Sequence, residues 1–242
     1  MDEITDLLRL IDETYRVFGL SYTIHLSTRP EDSMGDLELW EKAEDGLKKA
    51  VAQNKRELIL NEGDGAFYGP KLDFWVKDSL GRSWQCATVQ LDFQMPIKFD
   101  LEYIGDDGKK HRPVILHRTI MGSYERFLGI LIEHFAGSFP LWLAPVQVGL
   151  LPVAERHNEF ALALLRELKE HRIRATIDES LETVGNKIRK ASQQKIPYLL
   201  VLGDKEIDGQ LLTVNERGKK EKFQLSRNEF IARLKKEIFA RV

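Results

Sequence analysis

The order of strand-like and helix-like segments changes near the middle of this chain, and that change limits its fold more than any other feature. From residue 147 onward, strand patterns alternate with helix patterns: VQVGLLPV, HNEFALALLRELKEH, IRATIDE, VGNKIRKASQQK and IPYLLVLG. Such alternation predicts a mostly parallel sheet with crossover helices. We therefore expect residues 141–242 to form an α/β domain, closed by the hairpin LLTVNER–KFQL and by a helix that Ser226 and Glu229 cap.

Residues 1–140 carry a different pattern, with few helices between the strands. ITDLLRLIDETYRVFGL and LELWEKAEDGLKKAVAQN predict amphipathic helices on either side of the strand SYTIHLST. KLDFWVKD and SWQCATVQLDF, joined by Ser79 to Arg82, predict an antiparallel hairpin. FDLEYIG and RPVILHRTI predict a second strand pair around 106–109, and an apolar helix follows over 123–136. This domain is expected to be α+β, and the proline-containing segment SFPLWLAPVQV is the expected linker.

Charge and composition exclude several classes of protein. The 36 basic and 38 acidic residues nearly cancel, so no global basic field marks the chain as a nucleic-acid binder, and only a local basic face is left open. A single cysteine, Cys86, excludes an intrachain disulfide and favours a reducing compartment. No apolar run approaches the roughly 20 residues of a membrane span, and MDEITDLLRL does not fit a secretory signal. We expect a cytoplasmic protein with no membrane partner.

A lone arginine, Arg126, stands in the first turns of the helix expected over 123–136, away from its apolar stripe. A helix start offers free N–H groups, and a guanidinium beside it adds a planar donor fork that suits phosphate groups. The alternative is an arginine on a solvated surface, which helix geometry alone favours.

Alternate residues of the strand 83–93 form a small polar face. Cys86, Thr88, Gln90 and Asp92 share this face by the period of two, whereas the opposite face is apolar. Such a face either lines a site or is simply exposed, as one face of an antiparallel sheet often is.

Three further features carry weak signals by themselves. GDGAFYGPK contains three glycines but lacks the Walker pattern of a phosphate loop. His117 has no second ligand at a helical metal-binding spacing, and a lone strand histidine is usually structural. NKIRKASQQK places Lys187, Arg189, Lys190 and Lys195 around one helix, which is either a solvated face or a local surface for a nucleic-acid backbone.

Five longer strings carry a resemblance to one enzyme family. They are LSTRPE, GAFYGPKLDF, WQCATVQLDF, HRPVILHRTIMGSYERFLGILIEHFAG and FPLWLAPVQV. In this order they resemble threonyl-tRNA synthetase, a class II aminoacyl-tRNA synthetase. The second half resembles the anticodon-binding domain shared by the synthetases for threonine, proline, glycine and histidine. The resemblance implies a partial, antiparallel class II catalytic sheet in 1–140 and a mixed-sheet α/β anticodon-binding domain in 141–242.

The resemblance also implies an active site in the first domain. The segment 117–137 resembles class II motif 3, in which Arg126 takes the place of the arginine that contacts the ATP phosphates. Tyr68, Gln90 and Ser123 match positions that line the pocket for threonine and the adenylate. The implied reaction is ATP-dependent activation of threonine, with Mg²⁺, followed by transfer to its tRNA.

Four more residues complete the implied site. Lys71 matches the basic residue near the reacting carboxylate and the tRNA end, and Thr88 joins the site because it shares the face of Gln90. Gln85 falls where the family contacts ATP, although strict alternation turns it away from Gln90. His117 matches one of three protein ligands of a zinc ion that binds the amino and hydroxyl groups of threonine. Valine lacks that hydroxyl, so a metal discriminates where an apolar pocket would not.

Several parts of the family pattern do not occur in this sequence. Motif 1, which forms the homodimer interface, and motif 2, which holds the ATP α-phosphate, are not found. The other two zinc ligands and the editing domain are not found either. We therefore expect the C-terminal part of the ligase, with one zinc ligand, and no catalysis by this chain alone.

The second domain is expected to bind the tRNA for threonine. The residues expected to do so are Lys187, Arg189, Lys195 and Glu206. Lys195 and Glu206 match anticodon contacts of the family, whereas Asn215 stands where an arginine is expected and the segment 178–184 departs from the pattern.

Three functions remain open at this point. The chain is part of an active threonine–tRNA ligase, a catalytically silent tRNA-binding module, or an accessory synthetase-like protein with another partner. Retention of the pocket residues, Arg126 included, favours the ligase.

Overall fold

The computed structural model describes residues 2–241, which divide into two compact units after His134. The domain border expected at 140/141 stays a prediction. Within the described residues, no helix combines the length and the apolar character that crossing a membrane requires.

Over residues 2–134, the first unit contains four helices and seven strands. They are α1 (Asp2–Val17), β1 (Tyr22–Ser27), α2 (Leu37–Gln53), β2 (Leu58–Asn61), β3 (Lys71–Lys77), β4 (Ser83–Asp92), α3 (Gln94–Lys98), β5 (Tyr103–Ile104), β6 (Lys110–His111), β7 (Ile115–Thr119) and α4 (Tyr124–His134). Five strands form one sheet in the order β2-β1-β3-β4-β7, in which only β1 and β2 run parallel. This confirms the expected β3–β4 hairpin and the largely antiparallel sheet.

One face of this sheet is apolar and forms the core of the unit. Alternate residues of β1, β3 and β4, such as Leu26, Phe74 and Val89, are completely buried. Tyr15 of α1 is buried beside Phe127 of α4, with ring centroids 6.1 Å apart. Burial of an apolar helix stripe and an apolar sheet face against each other is the main favourable term in such a layer. The opposite, polar face is therefore left for other chemistry.

The expected second strand pair is wrong in its pairing. β5 pairs with β6 in a separate ladder, whereas β7 pairs with β4 and becomes an edge of the main sheet. Pro113 separates β6 from β7; because it has no N–H to donate, it ends the first ladder and frees the following residues for another. The periodicity also missed β2 and α3, which are short.

The second unit is a three-layer α/β fold. Its elements are β8 (Val148–Pro152), a 3-10 turn (Glu155–His157), α5 (Asn158–Glu170), β9 (Ala175–Ile177), α6 (Val184–Gln193), β10 (Tyr198–Leu202), α7 (Asp204–Asp208), β11 (Leu211–Glu216), β12 (Phe223–Ser226) and α8 (Arg227–Ala240). The sheet order is β12-β11-β10-β8-β9, parallel among β10, β8 and β9 and antiparallel among the rest. α5 and α8 cover one face and α6 the other. The expected mixed-sheet α/β fold is confirmed, including the Ser226–Glu229 cap.

The segment 135–147 contains no helix or strand but is tightly held by the second unit. Leu141 is 5% exposed within the main core of that unit. The Gln147 side chain, completely buried, donates to the Leu141 carbonyl at 2.8 Å and accepts from the Arg174 N–H at 2.8 Å. The Arg217 guanidinium donates to the carbonyls of Ser138 and Phe139. The linker expected from the prolines is therefore a packed part of the second unit.

We predict that residues 135–242 fold by themselves and are more stable than residues 147–242. The shorter piece loses Leu141 from the core, and removing a buried leucine costs about 2–5 kcal/mol. Thermal unfolding followed by circular dichroism should place the melting temperature of the shorter piece lower by at least about 5 °C. Equal melting temperatures would show that the linker contributes nothing to this unit.

Candidate functional site

The polar face of the first sheet collects residues that are far apart in the sequence. Strand register places Ser27 opposite Lys71, Lys71 opposite Gln90, and Gln90 opposite His117. Because partners in register share a face, these side chains form one polar row across four strands. The sheet thus brings β1, the β3–β4 hairpin and β7 together at one place.

A β-bulge brings Gln85 onto this face. Phe74 pairs with Ala87 but the next residue, Trp75, pairs with Gln85, so Cys86 is the extra residue of β4. One extra residue reverses the alternation beyond it. Gln85 therefore lies beside Thr88, and its amide donates to the Thr88 hydroxyl at 3.0 Å.

The placement of Cys86 on the polar face was wrong. As the bulge residue it is 2% exposed, and burial raises the pKa of its thiol. Thr88, Gln90 and Asp92 keep the positions that the period of two predicted.

One carboxylate, Asp73, organises the centre of the face. Its side chain is 1% exposed and accepts the Ser27 hydroxyl at 2.9 Å, the Thr88 hydroxyl at 2.9 Å and the Gln85 amide at 2.5 Å. It also forms a close ion pair with the Lys71 ammonium. A buried charge needs such partners, and here they include three of the residues expected in the active site.

Sequence reasoning missed Asp73. An acid two residues after Lys71 in a strand, opposite Thr88 in the expected hairpin, was the signal that could have found it. It belongs with the candidate site because its bonds fix where the side chains of Lys71 and Thr88 point.

The Gly-rich loop approaches the same cluster. Asp64 lies 3.3 Å from the Lys71 ammonium, so this lysine faces two carboxylates. A Cβ on Gly69 would lie 1.7 Å from the Leu91 carbonyl oxygen. Only glycine permits that close approach of loop and strand, which seats Tyr68 against the sheet.

Tyr68, Gln90 and His117 form a second cluster beside the first. The Tyr68 hydroxyl donates to the Gln90 side-chain oxygen at 3.0 Å, and the Gln90 amide donates to the Gly69 carbonyl at 3.3 Å. The Tyr68 and His117 rings are edge to face, 5.9 Å apart. Gln90 is 8% exposed, so its amide is fixed in direction.

His117 has the surroundings of a metal ligand. Its Nε2 lies 2.9 Å from one oxygen of Asp92, whose other oxygen accepts the N–H groups of Gln94 and Met95. A histidine that binds a metal through one ring nitrogen commonly gives the other to a carboxylate. Within residues 2–241, no group of three His, Cys, Asp or Glu side chains is placed to hold a metal. Among the described residues, this arrangement offers one side chain suited to metal binding, His117.

The start of α4 lies over β4. Gly122 has φ +68°, and a Cβ there would lie 2.6 Å from the Cys86 carbonyl oxygen. The Ser123 hydroxyl accepts the Arg126 N–H at 3.3 Å and so caps the helix. The Arg126 guanidinium donates to the Gln85 carbonyl at 2.9 Å, and no carboxylate of the described residues pairs with it. An arginine held without a counter-ion suits an anionic ligand.

Lys187, one of the expected tRNA contacts, points into the second unit. Lys187 is 3% exposed, and its ammonium donates to the carbonyls of Pro152 and Asp178 at 2.9 Å each. Because the sequence places it among charged neighbours, periodicity alone did not reveal that it points inward. Its placement on an exposed basic face was wrong.

The other expected tRNA residues have different settings. Arg189 is exposed on α6, and Lys195 is exposed just after that helix, with φ +59°. The Glu206 carboxylate accepts the Gly203 N–H at 3.0 Å and the Thr213 hydroxyl at 2.7 Å. The Asn215 amide donates to the Leu199 carbonyl at 3.2 Å.

Both units match families of known proteins. A family model for the class II tRNA synthetase core domain of the G, H, P, S and T enzymes matches residues 1–135, and one for the anticodon binding domain matches residues 147–237. The threonine–tRNA ligase of Carboxydothermus hydrogenoformans is 56% identical over 98% of this chain and 37% of its own length. That of Clostridium tetani is 53% identical over all of this chain and 38% of its own length.

A solved structure agrees with these sequence relatives. The RNA-binding domain of threonyl-tRNA synthetase from Cryptosporidium parvum Iowa II superposes with a TM-score of 0.94 and 37% identity, covering 98% of this chain and 60% of that chain. With the fold and both family matches, the chain belongs to the class II aminoacyl-tRNA synthetases. Within that class it belongs to the threonyl-tRNA synthetase family, and it spans a little over a third of the length of the curated relatives it matches.

We predict that Gly69→Ala destabilises the first unit. The added methyl cannot fit at 1.7 Å from the Leu91 oxygen, so the loop must move, at a cost of more than about 1 kcal/mol. Gly129→Ala is the matched control, since Gly129 is exposed within α4 with open space around it, and alanine there should stabilise by about 0.5–1 kcal/mol. Equal urea midpoints for the two variants would contradict the close approach of Gly69 to the Leu91 carbonyl oxygen.

Proposed function

We propose that this chain forms the C-terminal part of a threonine–tRNA ligase, which activates threonine with ATP and transfers it to its tRNA. The observation that carries the proposal is the single polar sheet face that joins Lys71, Gln85, Thr88 and Gln90 to His117. This arrangement combines hydrogen-bond donors for a carboxylate and for phosphates with a histidine whose ring a carboxylate orients, as in many metal sites. A catalytically silent protein would have no reason to keep such a site.

In the first step, an oxygen of the threonine carboxylate attacks the α-phosphate of ATP, and pyrophosphate leaves. Arg126 would bind the phosphates of ATP–Mg²⁺, because its guanidinium is exposed, held by the Gln85 carbonyl and not neutralised by a carboxylate within residues 2–241. Such electrostatic stabilisation of developing charge is often the largest part of catalysis. Gln85 of β4, whose carbonyl holds Arg126, would also contact the nucleotide.

Lys71 would orient the reacting carboxylate. Its ammonium is only partly exposed and is held between Asp73 and Asp64, so its direction is fixed before a substrate arrives. Preorganised charge needs no rearrangement during the reaction. Thr88, fixed by the same Asp73, would complete the floor of the pocket.

Tyr68, Gln90 and Ser123 would line the threonine and adenylate pocket, and His117 would hold zinc together with ligands from outside the described residues. When bound, the zinc supplies a Lewis-acid site for the amino and hydroxyl groups of threonine. The buried Asp92 would keep the His117 ring in one orientation for that ion. The Tyr68–Gln90 pair beside it would restrict the room for larger side chains.

In the second step, a ribose hydroxyl at the tRNA end attacks the threonyl carbonyl and AMP leaves. The second unit would hold the anticodon arm, with Arg189 and Lys195 near the RNA backbone. Lys187 takes no part in this proposal, because its ammonium is buried. Glu206 would act mainly by shaping the turn before α7, since two donors already occupy its carboxylate.

The family resemblance extends the proposal to the protein as a whole. The ligase would work as a homodimer in the cytoplasm, with ATP–Mg²⁺ as substrate and zinc as resident metal. A catalytically silent tRNA-binding or accessory protein is the alternative that the following experiment separates from it.

We predict that Arg126→Ala, in the full-length ligase that carries this sequence, lowers threonine-dependent ATP–pyrophosphate exchange about a hundredfold. Removing one group that stabilises phosphate charge in the transition state costs roughly 3 kcal/mol. Arg9→Ala is the control, because Arg9 is an exposed arginine of α1 that pairs with Asp6 and lies outside the candidate site. This chain without the rest of the ligase should show no exchange.

Two results would contradict this assignment. An Arg126→Ala effect below about threefold would return Arg126 to a solvated surface role. A full-length protein without any threonine-dependent exchange would favour the silent tRNA-binding protein.

We predict that this chain binds threonine tRNA with an affinity that falls as salt rises, and that Arg189→Ala and Lys195→Ala each reduce the salt slope by about one. Arg166→Ala on α5 is the matched control, since Arg166 is an exposed arginine of the same unit. Titration at several salt concentrations measures the slopes. Variants indistinguishable from the Arg166 control would move the RNA-binding surface elsewhere.

A further inference from the structure

Trp84 lies at the junction between the β3–β4 hairpin and the start of α4. The guanidinium carbon of Arg126 is 5.6 Å from the centre of the Trp84 ring, and that of Arg82 is 5.5 Å from it. Both distances fall within the range of cation–π attraction. The indole is therefore a platform shared by one arginine from the hairpin and one from the helix.

The indole is fixed by Asp78. Trp84 Nε1 donates to Asp78 at 2.8 Å, and the Asp78 side chain has no exposed surface. The same carboxylate accepts the Arg82 side chain at 2.6 Å and the backbone N–H groups of Leu80 and Arg82. Burial opposes ionisation of this carboxyl, but the hydrogen bonds from Trp84 and Arg82 outweigh it and lower the pKa to about 2. The Trp84 indole is thus held by a carboxylate that other hydrogen bonds fix in place.

The two arginines differ in their counter-charges. Arg82 is paired with Asp78 and lies 3.4 Å from Glu133 near the end of α4. Arg126, at the start of α4, has only the Trp84 ring and the Gln85 carbonyl among the described residues. Neither of these carries a full charge, so both restrict the direction of the Arg126 guanidinium without neutralising it.

We infer that Trp84 is a positioning residue for Arg126: its ring holds the guanidinium in the direction that receives the triphosphate of ATP. This inference rests on the proposed function, because it names the group that Arg126 binds. Trp84 itself need not touch the nucleotide. Loss of the ring should therefore weaken the use of ATP and leave threonine binding unchanged.

The test compares Trp84→Leu and Trp84→Phe in the full-length ligase by ATP–pyrophosphate exchange. Trp84→Leu removes the ring and should raise the KM for ATP about fivefold, the size of one cation–π contact, with the KM for threonine within about twofold of wild type. Trp84→Phe keeps a ring and should restore the KM for ATP to within about twofold. Leu80→Ala, at the exposed tip of the same hairpin, is the control that should change neither constant.

A second measurement on this chain keeps the inference testable without activity. The ring current of the indole should shift the Arg126 Nε–Hε proton upfield in the NMR spectrum, and Trp84→Leu should abolish that shift while Trp84→Phe retains part of it. An unchanged resonance in Trp84→Leu, or equal KM values for ATP in Trp84→Leu and wild type, would overturn the positioning role. A wild-type ligase without threonine-dependent exchange would instead overturn the proposed function, and the NMR comparison would then decide on Trp84 alone.

Discussion

The buried carboxylate of Asp73 is the interaction on which the candidate site depends. An ionised group that is 1% exposed is stable only if donors replace the lost water, and four side chains from three strands do so. These donors include Lys71, Gln85 and Thr88, so the need to satisfy one charge sets the positions of three proposed substrate contacts. Removing the carboxylate would free all of them at once, whereas removing one donor would leave the others in place.

The pairing of strands in the sheet around Asp73 brings the residues of the candidate site together. Its register aligns Lys71, Gln90 and His117, which are distant in the sequence, and the bulge at Cys86 turns Gln85 to the same side. Bulges are common beside active sites because they re-aim a side chain without changing the strand order. Here the bulge adds a nucleotide contact to a face that otherwise holds amino acid contacts in the proposed mechanism.

Local rules predicted what depends on neighbours in the chain, and they did not predict what depends on tertiary pairing. The β3–β4 hairpin and the Ser226 cap were predictable because turn residues and side-chain spacing encode them. The partner of β7, the inward turn of Lys187 and the bulge were not, since each is decided by which strand or carbonyl is available in the folded protein. Of the site residues, Asp73 was the omission with most consequence: its spacing from Lys71 placed it on the polar face, but that spacing did not show that it would be buried.

The cations of this chain differ in how far their charge is compensated by neighbouring groups, and Arg126 is compensated least among those compared here. Lys71 and Arg82 have carboxylates within ion-pair distance, and Lys187 donates to two carbonyls inside the second unit. Arg126 contacts the Trp84 ring and the Gln85 carbonyl, but its charge is not compensated by any described carboxylate. A positive charge whose direction is fixed and whose partner is not yet supplied is the arrangement that an anion such as a triphosphate completes. For this reason Trp84 and the Gln85 carbonyl, which contact Arg126, should affect the KM for ATP in the proposed ligase as well as Arg126 itself.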